Sequence, residues 1–421
     1  MHNENYQREE KIKRHNTGVV TILSGLLIIL FSVGTSINLG SLFGEKINWL
    51  ISTETIQIMT FILLAVSVLF GWAEVKILKS TDIFYLFLPF ILMAISLISQ
   101  AIGVRISGYM TVVQTVIHVF IMYFLVCFLK QTKFSFHKGF VANFIVLIGV
   151  FESVLGIIQH IASDPFFDTQ KLNAIYFLDG KSSSTITNLG SGASVRAFGT
   201  FDSGLTLGIF LMLSLAILID LSNIKKIFKI IFSAIYLVAI YYTLTRNVYI
   251  GLVSFLFIYF LLRLNIKSIY FNWFYFITTI IGASLFWLTG LLDWLVSLAK
   301  SANVMTFGIR FIYLKQVIAG IPDALHFFLG SNITTAEGIP IDSSAISIIA
   351  EFGLIFAFFV FLLQNSIFNS TLSVSSVKMP ALGAFLFLFP IMGASNDVIQ
   401  SFLIAAALVS LFINGDIKRK E

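Results

Sequence analysis

Long apolar stretches separated by short polar or charged connections recur from about residue 17 to residue 414. A helix needs about 20 apolar residues to cross the hydrocarbon layer of a membrane. Runs of that order stand at about 17 to 39, 55 to 72, 82 to 102, 108 to 129, 139 to 162 and 203 to 219. A second set stands at about 227 to 244, 247 to 262, 270 to 292, 344 to 366, 380 to 394 and 396 to 414. The eleventh is short and interrupted by Pro390. The pattern predicts an all-α integral membrane protein of about twelve transmembrane helices. Residues 17–414 then form a single polytopic domain between an amino-terminal tail, 1–16, and a carboxy-terminal tail, 415–421. No small-residue cleavage site follows the first run, which is read as a retained anchor.

Composition agrees and removes other classes. Of 421 residues, 57% are hydrophobic and 11% charged, whereas a soluble domain is about 25% charged. A soluble enzyme, a disordered chain and a disulfide scaffold are excluded. The single cysteine, Cys127, lies in an apolar run and is read as packing. The net charge of +6 does not point to nucleic acid, because the basic residues form short clusters between apolar runs.

Those clusters report sidedness instead, since lysine and arginine resist translocation. With the amino terminus inside, nine of the 27 basic residues fall on outer segments: Lys46, Arg105, Lys171, Lys181, Arg196, Arg246, Lys300, Arg310 and Lys315. Twice as many fall inside, which supports an even number of spans with both termini cytoplasmic. Two outer connections are long, at about 163–202 and about 293–343, and long connections are where function concentrates. The segment MTFGIRFIYLKQVIAGI in the second reads as a surface helix.

Three arginines stand on the outer side beside apolar runs: Arg196 in SVRAFGTFDSG, Arg246 in YYTLTRNVYIG and Arg310 in FGIRFIYLK. A guanidinium is a planar, permanently charged fork suited to phosphate oxygens. Three together suit a lipid-linked diphosphate at the interface, although one alone could snorkel or pair with an acid. Gly199 and Gly204 follow Arg196 and would allow a tight turn and a close backbone approach. Asp342 stands where a helix should start, a position that also suits a cap. Glu351 lies within the run that follows, where a carboxylate needs a partner. Asp397 sits at an outer turn, while His118, Glu152, Gln159 and His160 lie within spans and read as interhelical hydrogen-bond partners. No HExxH, GxxxxGK[ST], cysteine pair or acid-rich loop occurs, so no metal, nucleotide or other cofactor is expected.

The order of these features resembles the superfamily of O-antigen ligases and Wzy-type polysaccharide polymerases, most strongly from Arg196 to about Phe359. RAFGTFDSGLTLGIFL is similar to the family's RxxGTF segment, TLTRNVYIGL to its second arginine segment, and FFLGSN with IDSSAISIIAEFGLI to its closing segment. The resemblance implies a GT-C-like membrane glycosyltransferase on the outer face of the bacterial cytoplasmic membrane. Its substrate would be oligosaccharide repeats on undecaprenyl diphosphate, polymerised for a capsule, exopolysaccharide or O-antigen. A flippase and a chain-length regulator would be pathway partners. Carried over, Arg196 and Arg246, and more weakly Arg310, would bind the departing diphosphate, with Gly199, Gly204 and Glu351 in support. The ligase pattern opens its closing segment with a histidine, where this chain reads IDSS, which favours a polymerase over a ligase and makes Asp342 the candidate base. Asp397 falls near a family acid, and Ser203 and Gly204 stand near where the family has an asparagine. The alternatives are a ligase moving finished glycan to an acceptor, and a transporter or flippase of lipid-linked sugars.

Overall fold

The structure, a computed structural model, describes residues 138–163, 190–191, 194–201, 203–264, 289–301, 315–331, 335–336, 339–340, 343–373 and 379–393, with isolated helical positions at 62, 66, 270, 273, 277, 312, 402 and 409. The first four expected spans and the last lie outside the described residues apart from those single positions. The order begins with helix α1, Lys138–Ala162, and a two-residue hairpin, β1 Gly190–Ser191 with β2 Ser194–Val195. Then come α2 Gly204–Asp220, α3 Lys226–Tyr242, α4 Arg246–Arg263 and α5 Thr289–Ser301. The last elements are α6 Ala324–Leu329, the hairpin β3 Thr335–Ala336 with β4 Ile339–Pro340, α7 Ser344–Ser373, α8 Pro380–Leu386 and α9 Leu388–Gly393. The described chain is therefore helical, its strands being only these two-residue ladders. Its contacts divide it into two compact units, the first holding α1 to α3 and the start of α4, the second holding the remainder.

In the first unit α2 is the central helix. GLTLGIFLMLSLAILID has no polar face, and every residue from Leu207 to Leu218 is buried. On α1, Leu147, Phe151, Val154, Ile158 and Ile161 are exposed, while Glu152, Ser153 and Gln159 are buried. α4 continues the pattern, with Ile250, Val253, Phe257 and Phe260 outward. An apolar exterior around interior polar groups is what a hydrocarbon solvent selects, because lipid offers polar atoms no hydrogen bonds. Among the described residues two helices are long and apolar enough to cross a membrane, Ala142–Ala162 and Arg246–Arg263. The Tyr236 hydroxyl of α3 donates to the Val146 carbonyl of α1 at 2.6 Å, inside the core. At the far end of α2, Lys229 Nζ reaches the Ile219 carbonyl at 3.5 Å, where a cation meets the negative end of the helix dipole.

The second unit corrects the sequence expectation in two places. The ninth span was expected to end near 292, with loop from 293, but α5 runs to Ser301. The apolar spacing of LLDWLVSLAK continues the helix, and its Asp293 accepts from Lys315 Nζ at 2.7 Å. The tenth span was expected to be continuous, yet α7 breaks at Gly353, where φ is 88°. The loop after α6 fills that break: a Cβ on Gly353 would collide with the Phe328 carbonyl and with the backbone of Leu329 and Gly330. The eleventh run, expected to be short and interrupted by Pro390, is two short helices, α8 ending at Leu386, four residues before that proline. A proline ring clashes with the carbonyl four residues back and leaves it without a donor, which places the break. Around the α6–α7 contact Phe327 and Ile349 form a small core with Ile318, Ile321, Ile346, Leu354 and Ala357.

Asp323 caps α6, accepting from the His326 amide at 2.9 Å and from His326 Nδ1 at 2.8 Å. Those bonds, the amide first, hold its carboxyl below the ordinary carboxylate range.

Two outcomes follow from this unit. Gly353→Ala should lower the thermal midpoint of the detergent-solubilised protein strongly, since the positive φ alone costs on the order of 1–3 kcal/mol before the collision with the α6 loop is counted. The Asp323 cap is complete above the ordinary carboxylate pKa and is lost as pH falls through the lowered value. Amide exchange at 324–330, corrected for intrinsic rate, should therefore show lower protection in acid, and Asp323→Asn should flatten that dependence.

Candidate functional site

Where α1 ends and α2 begins, one face of α1 holds a short loop. Glu152 and Gln159 lie seven residues apart, two turns, and so project from one side. Both carboxylate oxygens of Glu152 act as acceptors: Oε2 from the Thr200 amide at 2.8 Å and Oε1 from the Thr200 hydroxyl at 2.7 Å. Gln159 pairs like a strand. Its Nε2 donates to the Gly199 carbonyl at 2.8 Å, and its Oε1 accepts from the Gly199 amide at 2.8 Å and the Phe198 amide at 3.3 Å. His160 Nδ1 donates to the Val195 carbonyl at 2.7 Å, a bond that fixes the tautomer because a carbonyl can only accept. The imidazole stacks on Tyr242 with centroids 4.3 Å apart.

The loop between these anchors needs its glycine. Gly199 has φ of 61°, and a Cβ there would collide with Glu152 Oε2. Ser203 then caps α2 by accepting from the Thr206 amide at 3.3 Å. A Cβ on Gly204 would stand 2.9 Å from the Thr243 carbonyl and 3.1 Å from both the Ala197 carbonyl and Thr245 Oγ1. That close approach brings the second arginine segment alongside. The Ala197 amide donates to the Tyr242 carbonyl at 2.9 Å, and the Thr245 hydroxyl to the Thr243 carbonyl at 3.0 Å. The Tyr249 hydroxyl donates to the Tyr241 carbonyl and ties the start of α4 to the end of α3. Leu244 in this turn has φ of 49°. A left-handed non-glycine residue costs about 1–2 kcal/mol, which the surrounding bonds offset.

Arg196 and Arg246 thus belong to segments packed against each other. Arg196 is half-buried, its Nε buried without a hydrogen-bond partner. Arg246 is exposed at the first residue of α4. Among the described residues no carboxylate lies within ion-pair distance of either; Glu152, the buried acid of the loop network, is engaged by Thr200. The arrangement can present permanent positive charge and an unsatisfied N–H donor to an anion in a partly desolvated position.

Of the other sequence-predicted site residues, Gly199 and Gly204 lie within this network. Arg310, Asp342 and Asp397 lie outside the described residues. Glu351 is in α7, two residues ahead of the Gly353 break, in the second unit. The buried Ser343 hydroxyl donates to the Gly393 carbonyl at 3.1 Å. The sequence read Glu152, Gln159 and His160 as interhelical hydrogen-bond partners, whereas the bonds described above run to the loop that carries Arg196. The seven- and eight-residue spacings within one apolar run were the available signal. Among the described residues no group of three histidines, cysteines or acids could hold a metal ion. No family model, curated protein or solved structure matches this chain.

Thr200→Val removes one donor from the buried Glu152 and should cost about 1–3 kcal/mol, the penalty for leaving a buried acceptor unmet. Thr200→Ser should cost far less; thermal unfolding of the two variants in detergent gives the comparison.

Proposed function

We propose that this chain is a multi-pass protein of the bacterial cytoplasmic membrane, with both termini inside, that polymerises oligosaccharide repeats carried on undecaprenyl diphosphate. The observation that carries the reading is the half-buried Arg196, with its unpartnered Nε–H, on a loop packed against the turn that bears Arg246. Two guanidiniums at one helix-bundle end, in segments whose sequences resemble those of polysaccharide polymerases, suit a diphosphate leaving group. In this reading that end faces outward, which the positive-inside rule supports, since Lys225, Lys226 and Lys229 stand at the opposite end of α2 and α3.

In the proposed reaction a hydroxyl of the acceptor repeat attacks the anomeric carbon that links the growing chain to its carrier. The bond to the diphosphate oxygen breaks, and undecaprenyl diphosphate departs with its electron pair. Arg196 and Arg246 stabilise the charge that develops on that oxygen. Asp342 is the assigned base for the hydroxyl proton. No nucleotide sugar is required, because the carrier linkage is already activated.

One structural feature favours a second reading, a transporter or flippase of lipid-linked sugars. Transporters form binding sites at interrupted helices, and α7 is interrupted at Gly353. The break is filled by the chain's own loop backbone, so polymerisation is preferred.

Electrophoresis of the surface glycan and the lipid-linked pool, with and without the gene, separates the readings. A polymerase leaves single repeats on deletion, a ligase leaves long chains on the carrier, and a transporter leaves repeats on the inner face. Within the polymerase reading, Arg196→Lys keeps the charge but loses the fork, and polymer should fall by on the order of 10²-fold at normal protein level. Full activity in that variant would sink the diphosphate clamp.

A further inference from the structure

A guanidinium on a mobile loop binds weakly, because the loop must be ordered each time an anion arrives. The segment carrying Arg196 is held on both sides. Val195, immediately before it, gives its carbonyl to His160, and Ala197, immediately after, gives its amide to Tyr242. Phe198, Gly199 and Thr200 are then engaged by Gln159 and Glu152. All three anchoring side chains come from one face of α1. Gly156, between them on that face, lets the loop lie against the helix: a methyl there would stand 3.2 Å from the Ala197 Cβ. Glu152 is 1% exposed and Gln159 0%, so neither can meet a sugar or a diphosphate itself.

We propose that Gln159, Glu152 and His160 are positioning residues that fix the backbone on either side of Arg196 and so present its guanidinium, pre-ordered, to the lipid diphosphate. This rests on the diphosphate reading of Arg196 but assigns a role that the reading does not require. A packing role would predict loss of folded protein alone. A positioning role predicts that the effect on binding passes through Arg196.

The test uses the full chain in detergent, with undecaprenyl diphosphate as the probe and binding read by native mass spectrometry beside a thermal melt. Gln159→Met keeps the length and apolar fit but removes three hydrogen bonds to the loop. It should weaken binding by about tenfold or more, as misplacement of a clamp by a fraction of its reach does. Placed on an Arg196→Ala background, it should weaken binding no further, since residues acting as one unit are not additive. His160→Asn can still donate to the Val195 carbonyl and should retain affinity, whereas His160→Leu should lose it. That second pair carries the test if Gln159→Met melts too low to assay.

Separate results overturn separate claims. If Arg196→Ala weakens binding while both Gln159→Met and His160→Leu bind like the unaltered chain, the positioning role is wrong and the clamp stands. The positioning role is equally wrong if Gln159→Met weakens the Arg196→Ala background by its full factor. If Arg196→Ala itself binds undecaprenyl diphosphate unchanged, the diphosphate reading falls and the positioning role falls with it.

Discussion

The hydrogen bonds between α1 and the Arg196 loop answer a constraint that governs the whole first unit. α1 carries a carboxylate and a primary amide inside a mostly apolar run, and buried as they are neither can turn to water. Their partners must come from protein, and helix backbone has no donors to spare because its own carbonyls take them. Only irregular backbone exposes amides and carbonyls together. The loop at 195–200 supplies them, and in return its own unpaired backbone groups, which would be as costly in such surroundings, are satisfied. The carboxylate and amide on α1 therefore require the loop as much as the loop requires them.

From that exchange the arginine geometry follows. With residues 198–200 fixed on α1, Ala197 is brought to the end of α3, Ser203 is set to cap α2, and Gly204 slides beneath the 243–245 turn. The strained Leu244 sits in that turn. Strain of this kind persists where neighbouring bonds over-determine the backbone, and here they do so one residue from the turn threonine that precedes Arg246. The two cationic segments are held by one network rather than by two independent loops.

Much of the helix layout was legible in the apolar run lengths. α1, α2, α3 and α4 begin and end within two residues of the expected spans at 139–162, 203–219, 227–244 and 247–262. Lys138, Asp220, Lys226, Arg246 and Arg263 mark several of their ends, Ser203 caps another, and hydrophobic length is a property a sequence displays directly. The interruptions were less legible, for two reasons. The proline effect acts four residues upstream, so the break stands at Phe387 while the visible mark is Pro390. The Gly353 break depends on which loop docks there, a tertiary fact that a glycine within an apolar run does not announce. The candidate site was half legible. Arg196, Arg246, Gly199 and Gly204 stood out by type and order, but the partners of Glu152 and Gln159 are 39 to 48 residues away, across a long connection. A lone polar residue in a span says that a partner exists and gives no hint of which.

The chemistry of the anchoring groups also bears on why the site uses an amide and a carboxylate rather than a basic residue at this face of α1. A lysine or arginine at position 152 or 159 could donate to the loop carbonyls, but it would place a second buried cation near Arg196, in a medium where like charges repel far more strongly than in water. Glu152 instead accepts from the loop, and it does so through Thr200, four residues beyond Arg196, rather than through the guanidinium itself. A carboxylate in direct contact would neutralise Arg196 and compete with any incoming phosphate oxygen. Engaging the acid with a threonine amide and hydroxyl satisfies it while leaving the guanidinium unclaimed among the described residues. An arginine whose backbone is fixed and whose charge has no counter-ion among the described residues is an arrangement that favours an anion from outside over one within the chain.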